Sequence, residues 1–240
     1  MKTGQTSAIV FVSKLLSSAL GFIATLYFAR TLGAGILGYF ATTIALVSWL
    51  KIAGDIGVSN AVRKRISEGE DIQEYATAGT IIVIGFAIII SVMVALLDGL
   101  VESYVGRPVA IFVIILLCSQ LLKSLIVSLL EGDRMVHISG IIEPIQTGSR
   151  ALVQIGLVIV GLELSGMLIG QAAGWILASL IGLLYVTASP AIPSQYHFKR
   201  LYEYAKYSWL GALESRSFRN VDILLLGIFS SPALVGIYSV

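Results

Sequence analysis

The chain has 240 residues, of which 57% are hydrophobic and 12% are charged, and its mean hydropathy is +0.91. A soluble chain carries roughly 25% charged residues, so this one has too little polar surface to cover a water-soluble particle and needs a bilayer as part of its solvent. A net charge of +2 gives no ground for nucleic-acid binding, and a single cysteine, Cys118, excludes a disulfide framework.

A membrane crossing takes about 20 mostly apolar residues, and seven segments qualify. The first, 8–28, follows Lys2. It is read as a retained span, being too long for a signal-peptide core and lacking an Ala-x-Ala-like site. Along it Lys14, Ser18, Gly21 and Thr25 share one helical face. In the second, 36–56, Ser48, Lys51 and Asp55 share a face, and Lys51 is expected to form a structural ion pair with Asp55 one turn on. The third, 76–97, has no charged residue between Tyr75 and Asp98 and is expected to face lipid or an apolar partner. In the fourth, 109–130, Gln120, Lys123 and Ser124 cluster, with Ser128 a turn further.

Pro144 is expected to open the fifth span, 145–160, where its missing N–H costs little. Glu143, Thr147, Arg150 and Gln154 repeat there the polar spacing of the first span. In the sixth, 167–187, Gly166, Gly170, Gly174, Ala178 and Gly182 recur every four residues, a pattern that lets another helix approach closely. Pro190 and Pro193 end that span and begin an amphipathic stretch, 195–207, rich in Tyr and Lys and expected at the membrane interface. In the seventh, 208–229, Ser215, Arg219 and Asp222 line one side, with Glu214 and Arg216 close by. The fifth and seventh spans are the weakest by hydropathy because both carry charges.

Threading seven spans in order puts Lys2, Arg63, Lys64, Arg65, Arg134, Lys199, Arg200 and Lys206 on one side. Basic loops stay in the cytoplasm, which predicts a cytoplasmic N-terminus. An ionisable group at mid-bilayer costs about 2.5–3.5 kcal/mol on insertion scales, so each polar stripe needs a partner. The stripes are expected to face one another around a shared hydrated cavity. Their bases outnumber their acids, which suits an anion such as phosphate or pyrophosphate. Lys14 and Lys123 have a second reading, since both lie near helix ends where a long stem reaches the headgroups. Gly33-Ala34-Gly35-Ile36-Leu37-Gly38 matches a dinucleotide-binding fingerprint, but it follows a membrane helix rather than a strand and is set aside. His137 and His197 are isolated, so no metal site, cofactor or catalytic residue is expected.

Ala29-Arg30-Thr31-Leu32-Gly33 with Gly38-Tyr39-Phe40, then Gly54-Asp55-Ile56-Gly57-Val58 with Ala61-Val62-Arg63-Lys64, then Leu130-Glu131-Gly132, follow one another along the chain. Asn220-Val221-Asp222-Ile223-Leu224-Leu225-Leu226-Gly227 and Val235-Gly236-Ile237-Tyr238-Ser239 come after them. In order and spacing these segments resemble the polysaccharide flippase branch of the multidrug/oligosaccharidyl-lipid/polysaccharide exporter superfamily. The resemblance implies an all-α, polytopic membrane helix bundle. Residues 1–190 would form a six-helix N-terminal lobe, 191–207 a cytoplasmic interfacial linker, and 208–240 the first helix of a second lobe. The chain is therefore expected to be a truncated or partial form of a longer protein.

The implied function is transport of a polyprenyl-linked saccharide, bearing phosphate or pyrophosphate, across the cytoplasmic membrane for polysaccharide or glycan biosynthesis. The bilayer, and glycosyltransferases or a polymerase of the same pathway, would be partners; nucleic acid would not. Lys14, Lys123, Arg150, Gln154, Arg216 and Arg219 are the expected cavity residues, with Lys14, Arg150 and Arg219 nearest the headgroup. Glu214 and Asp222 are the candidates for a coupling proton or sodium ion. A multidrug exporter of the same superfamily and a non-transporting assembly subunit are the alternatives. A membrane glycosyltransferase fits less well, because no loop carries paired acids in catalytic spacing.

Overall fold

The computed structural model describes the backbone of residues 3–239 and the side chains of 11–209 and 221–239. Among the described residues there are ten helices and no strand. In chain order they are α1 (Thr3–Thr31), α2 (Gly33–Asp55), α3 (Val58–Glu68), α4 (Ile72–Leu96) and α5 (Asp98–Val105). Then follow α6 (Ala110–Gly132), α7 (Val136–Ile159), α8 (Glu163–Leu183), α9 (Gln195–Phe229) and α10 (Pro232–Ser239).

Among the described residues, five helices are both long and apolar enough to cross a membrane: α1, α2, α4, α6 and α8. Together with the apolar exterior they make this a multi-pass membrane protein. The other two expected spans fall within α7, of 24 residues, and α9, of 35 residues. Both have the length; α7 carries the charges that had marked its span as weak, and side chains 210–220 of α9 lie outside the described residues. On α4, Ile81, Ile84, Ile88, Val92 and Leu96 are all exposed, an outward apolar stripe that only acyl chains solvate well. The core lies between α2, α4, α6 and α8, where Val47, Val113, Leu116, Leu117, Leu121 and Leu168 are buried.

Three local features differ from the sequence reading. First, the loop after α2 holds a helix, α3, which buries Val58, Ala61, Val62 and Ile66 and leaves Arg63 and Lys64 exposed. The turn into it depends on Gly57, which has φ +76° and where a Cβ would stand 2.6 Å from the Ala205 carbonyl oxygen of α9. Second, Pro144 sits inside α7 rather than at its start. The turn at Arg134 (φ 60°) starts the helix earlier, with the Ile138 and Ser139 N–H groups already bonded to the Met135 carbonyl. Pro144 removes one backbone bond there, a loss that helices packed in membranes tolerate. Third, the interfacial stretch is continuous with the seventh expected span. Ser194 donates its N–H to His197 Nδ1 at 3.0 Å, fixing the start of α9. No proline interrupts the helix before Phe229.

The basic loops gather at one end of the bundle. Arg63 of α3 pairs with Glu131 at the end of α6 at 2.8 Å. Arg65 donates to the Arg200 carbonyl, and Asn60 to the Ser208 hydroxyl. At the opposite end Arg107 lies over the Tyr39 ring, and the Tyr104 hydroxyl of α5 donates to the Leu224 carbonyl of α9.

Candidate functional site

The small-residue face of α8 organises the interior. Gly166 packs on Leu157, Gly170 on Gln154, and Gly174 on Arg150 and the Gln146 carbonyl, all on α7. Gly182 packs instead on Ile126 of α6 and Ile142 of α7. Lipid tails are as apolar as leucine, so close backbone approach supplies association that hydrophobic burial cannot. This seam holds the polar face of α7 toward α8. Thr147 and Gln154 are buried on it, and Gln154 Nε2 donates to the Met167 carbonyl at 2.7 Å.

Arg150, on the same face, reaches past the seam into a cavity of about 200 Å³. Its walls come from α1 (Ala24, Thr25, Phe28), α2 (Phe40, Ala41, Ile44), Met167 of α8, Ile223 of α9 and Ser239 of α10. The lining is largely apolar, and Arg150 is its one charged residue among the described residues. Arg150 Nη1 donates to Gln171 Oε1 at 3.3 Å, a neutral partner, while Nε is buried without any hydrogen-bond partner. Gly21 of α1 lies close by, such that a Cβ there would stand 3.8 Å from Arg150 Nη2. A guanidinium held in this way is a ready receptor for a phosphate oxygen.

A second cavity, of about 300 Å³, opens between α2, α3, α6 and α8 toward the basic end. Lys51 and Asp55 of α2 line it, with Gln120, Lys123, Ser124 and Ser128 of α6. Lys123 Nζ donates to Gln146 Oε1 of α7. Asp55 Oδ1 accepts the Ser59 N–H at 2.9 Å, so it caps the first turn of α3.

One shared chamber was the expectation; among the described residues the stripes line two cavities. Those of α2 and α6 meet in the second cavity, and the deep ends of those of α1 and α7 meet around Arg150. Lys123 of α6 and Gln146 of α7 meet between them. The next residue after Gly174, Trp175, already belongs to the wall of the second cavity.

Lys14 is exposed and lines neither cavity. Gln154 lines neither, being engaged on the α7–α8 seam. Asp222 Oδ2 accepts the Tyr238 hydroxyl of α10 at 2.7 Å. The side chains of Glu214, Arg216 and Arg219 lie outside the described residues. The sequence reading missed Gln171, the partner of Arg150, and the contributions of α3 to the second cavity, Ser59, Asn60 and Arg63. The apolar spacing of Val58, Ala61, Val62 and Ile66 is the signal that reveals α3.

Among the described residues the protein is an all-helical membrane bundle with cavities between its helices. Its fold resembles a solved multidrug resistance transporter of the MATE family, in the MOP superfamily, in an outward-facing conformation. The TM-score is 0.58 at 14% identity, covering 87% of this chain and 52% of that one. The chain belongs to the family described as polysaccharide biosynthesis protein, which matches residues 4–240. It is 31% identical to the probable flippase AglR of Haloferax volcanii, across 100% of this chain and 50% of that protein. It is 27% identical to the probable low-salt glycan biosynthesis flippase Agl15 of the same organism, across 99% of this chain and 50% of that one. The chain thus spans about half the length of the curated relatives it matches.

Proposed function

We propose that this chain acts in a flippase that carries a polyprenyl-linked saccharide across the cell membrane for glycan biosynthesis, with its N-terminus in the cytoplasm. Arg150 carries the reading. Its guanidinium stands among apolar walls with only the Gln171 amide as partner and with Nε unmatched. A buried donor without an acceptor is costly, and a phosphate or pyrophosphate oxygen arriving from a lipid headgroup supplies that acceptor. The cavity lies between helices α1, α2, α7 and α8 on one side and α9 and α10 on the other. That position is consistent with residues 1–190 as one lobe, 191–207 as a linker, and 208–240 as the start of a second.

The chain's role in this scheme is binding and movement, with no bond made or broken. Flippase relatives support the function, and glycosyltransferases or a polymerase would supply and consume the cargo. A carrier of cationic drugs needs acids in its cavity, and the Arg150 cavity has none among its described lining residues. Complementation separates the two readings. Cells lacking their own flippase should regain surface glycan on expressing this protein, with no gain in drug resistance. Resistance without glycan would overturn the proposal.

A further inference from the structure

We propose that the second cavity, between α2, α3, α6 and α8, is a saccharide subsite that takes the first sugar units of the cargo. The inference rests on the flippase reading above and assigns sugar and phosphate to separate places. The two cavities differ in chemistry. Around Arg150 the described wall is mostly apolar with one base, suited to a charge. In the second cavity Lys51, Arg63 and Lys123 stand with the acids Asp55 and Glu131, and hydroxyls and amides lie among them.

A polar wall of mixed donors and acceptors suits a polyol, whose hydroxyls both donate and accept. Two of its polar atoms await partners. Ser59, 4% exposed, has a hydroxyl with no hydrogen bond, and Gln120 Oε1 is buried and unmatched. Trp175, packed in the core, forms part of the same wall. About 300 Å³ is at the small end of ligand pockets, room for one or two sugar units.

The placement also fits a sugar phosphate. Gln146, bonded to Lys123 at the edge of the second cavity, is one α7 turn before Arg150, a rise of about 6 Å. A phosphate on Arg150 can therefore carry its sugar toward the Lys123 side. The second cavity lies nearer the basic end, so a cytoplasmic sugar reaches it first.

Binding to the purified full chain in nanodiscs tests this, read by saturation-transfer NMR for glucose, mannose and N-acetylglucosamine and by 31P line broadening for inorganic pyrophosphate, which carries no carbon-bound protons. The expected result is that at least one sugar binds and that Gln120→Ala weakens it about tenfold, the cost of a lost buried partner. Ser59→Ala should weaken it too; this variant keeps the backbone bond to Asp55, so folding is not at stake. Pyrophosphate should bind both variants normally and lose binding only in Arg150→Ala. Pyrophosphate binding that depends on Arg150, with no sugar bound or with sugar indifferent to Ser59 and Gln120, would overturn the subsite alone. Pyrophosphate binding indifferent to Arg150 would overturn the flippase reading and this inference with it.

Discussion

A Cβ placed on Gly174 of α8 would stand 2.7 Å from the Cβ of Arg150 on α7 and 2.9 Å from the Gln146 carbonyl oxygen. The position of the cavity arginine is therefore set by a missing side chain on the neighbouring helix. Gly174→Val should push α8 off α7 and lower stability by about 1–3 kcal/mol, the usual cost of overpacking. Gly85→Ala is the control, since a Cβ there meets nothing within 4 Å. Thermal unfolding in detergent should show a lower Tm for the first and an unchanged Tm for the second. Equal values would remove the seam from the account.

Gln154→Leu isolates the polar part of the same seam. Interhelical hydrogen bonds in membranes average about 0.6 kcal/mol and reach about 1.7. The loss of the bond to the Met167 carbonyl should therefore cost less than Gly174→Val. A larger loss would mean that hydrogen bonding, rather than close packing, holds α7 on α8.

Glu68, at the end of α3, gives a pH test outside the membrane. Burial raises its pKa, but the hydrogen bonds and charges of Arg65 and Lys64 together outweigh that and hold it below the ordinary value of 4.5. A carboxylate depressed on folding adds stability that is complete above its unfolded pKa and disappears as pH falls through the folded one. Wild type should be slightly more stable than Glu68→Gln at neutral pH, with the gap closing in acid. A gap that stays constant, or widens in acid, contradicts the pairing.

Orientation is tested by labelling. In a Cys118→Ala background, Ser67→Cys at the basic end should resist an impermeant thiol reagent applied outside intact cells. Glu102→Cys on α5, at the opposite end, should react. The reverse pattern would invert the bundle.

Much of the bundle was legible because lipid leaves few choices. Apolar runs of span length, the glycine ladder of α8 and the alternation of basic loops each follow from a single strong constraint. The polar stripes were legible for the same reason, since Lys51 with Asp55 and Gln120 with Lys123 repeat on helical faces. Which stripe faces which was not. That depends on α8 drawing in α7, and a run of small residues does not name its partner. The helix α3 was hidden because its charge reads as loop, and the continuity of α9 because its polar first half and apolar second half differ in composition while sharing one backbone.

The central claim is that Arg150 holds the charged headgroup during transfer. It is tested most directly in proteoliposomes, by the rate at which a polyprenyl-diphosphate saccharide becomes accessible to an impermeant glycan-cleaving enzyme. Arg150→Ala should slow that rate roughly 10- to 100-fold, as expected for loss of a charge-assisted hydrogen bond, at unchanged protein level and Tm. Arg150→Lys should recover part of it. Transfer at the wild-type rate in Arg150→Ala would contradict the account.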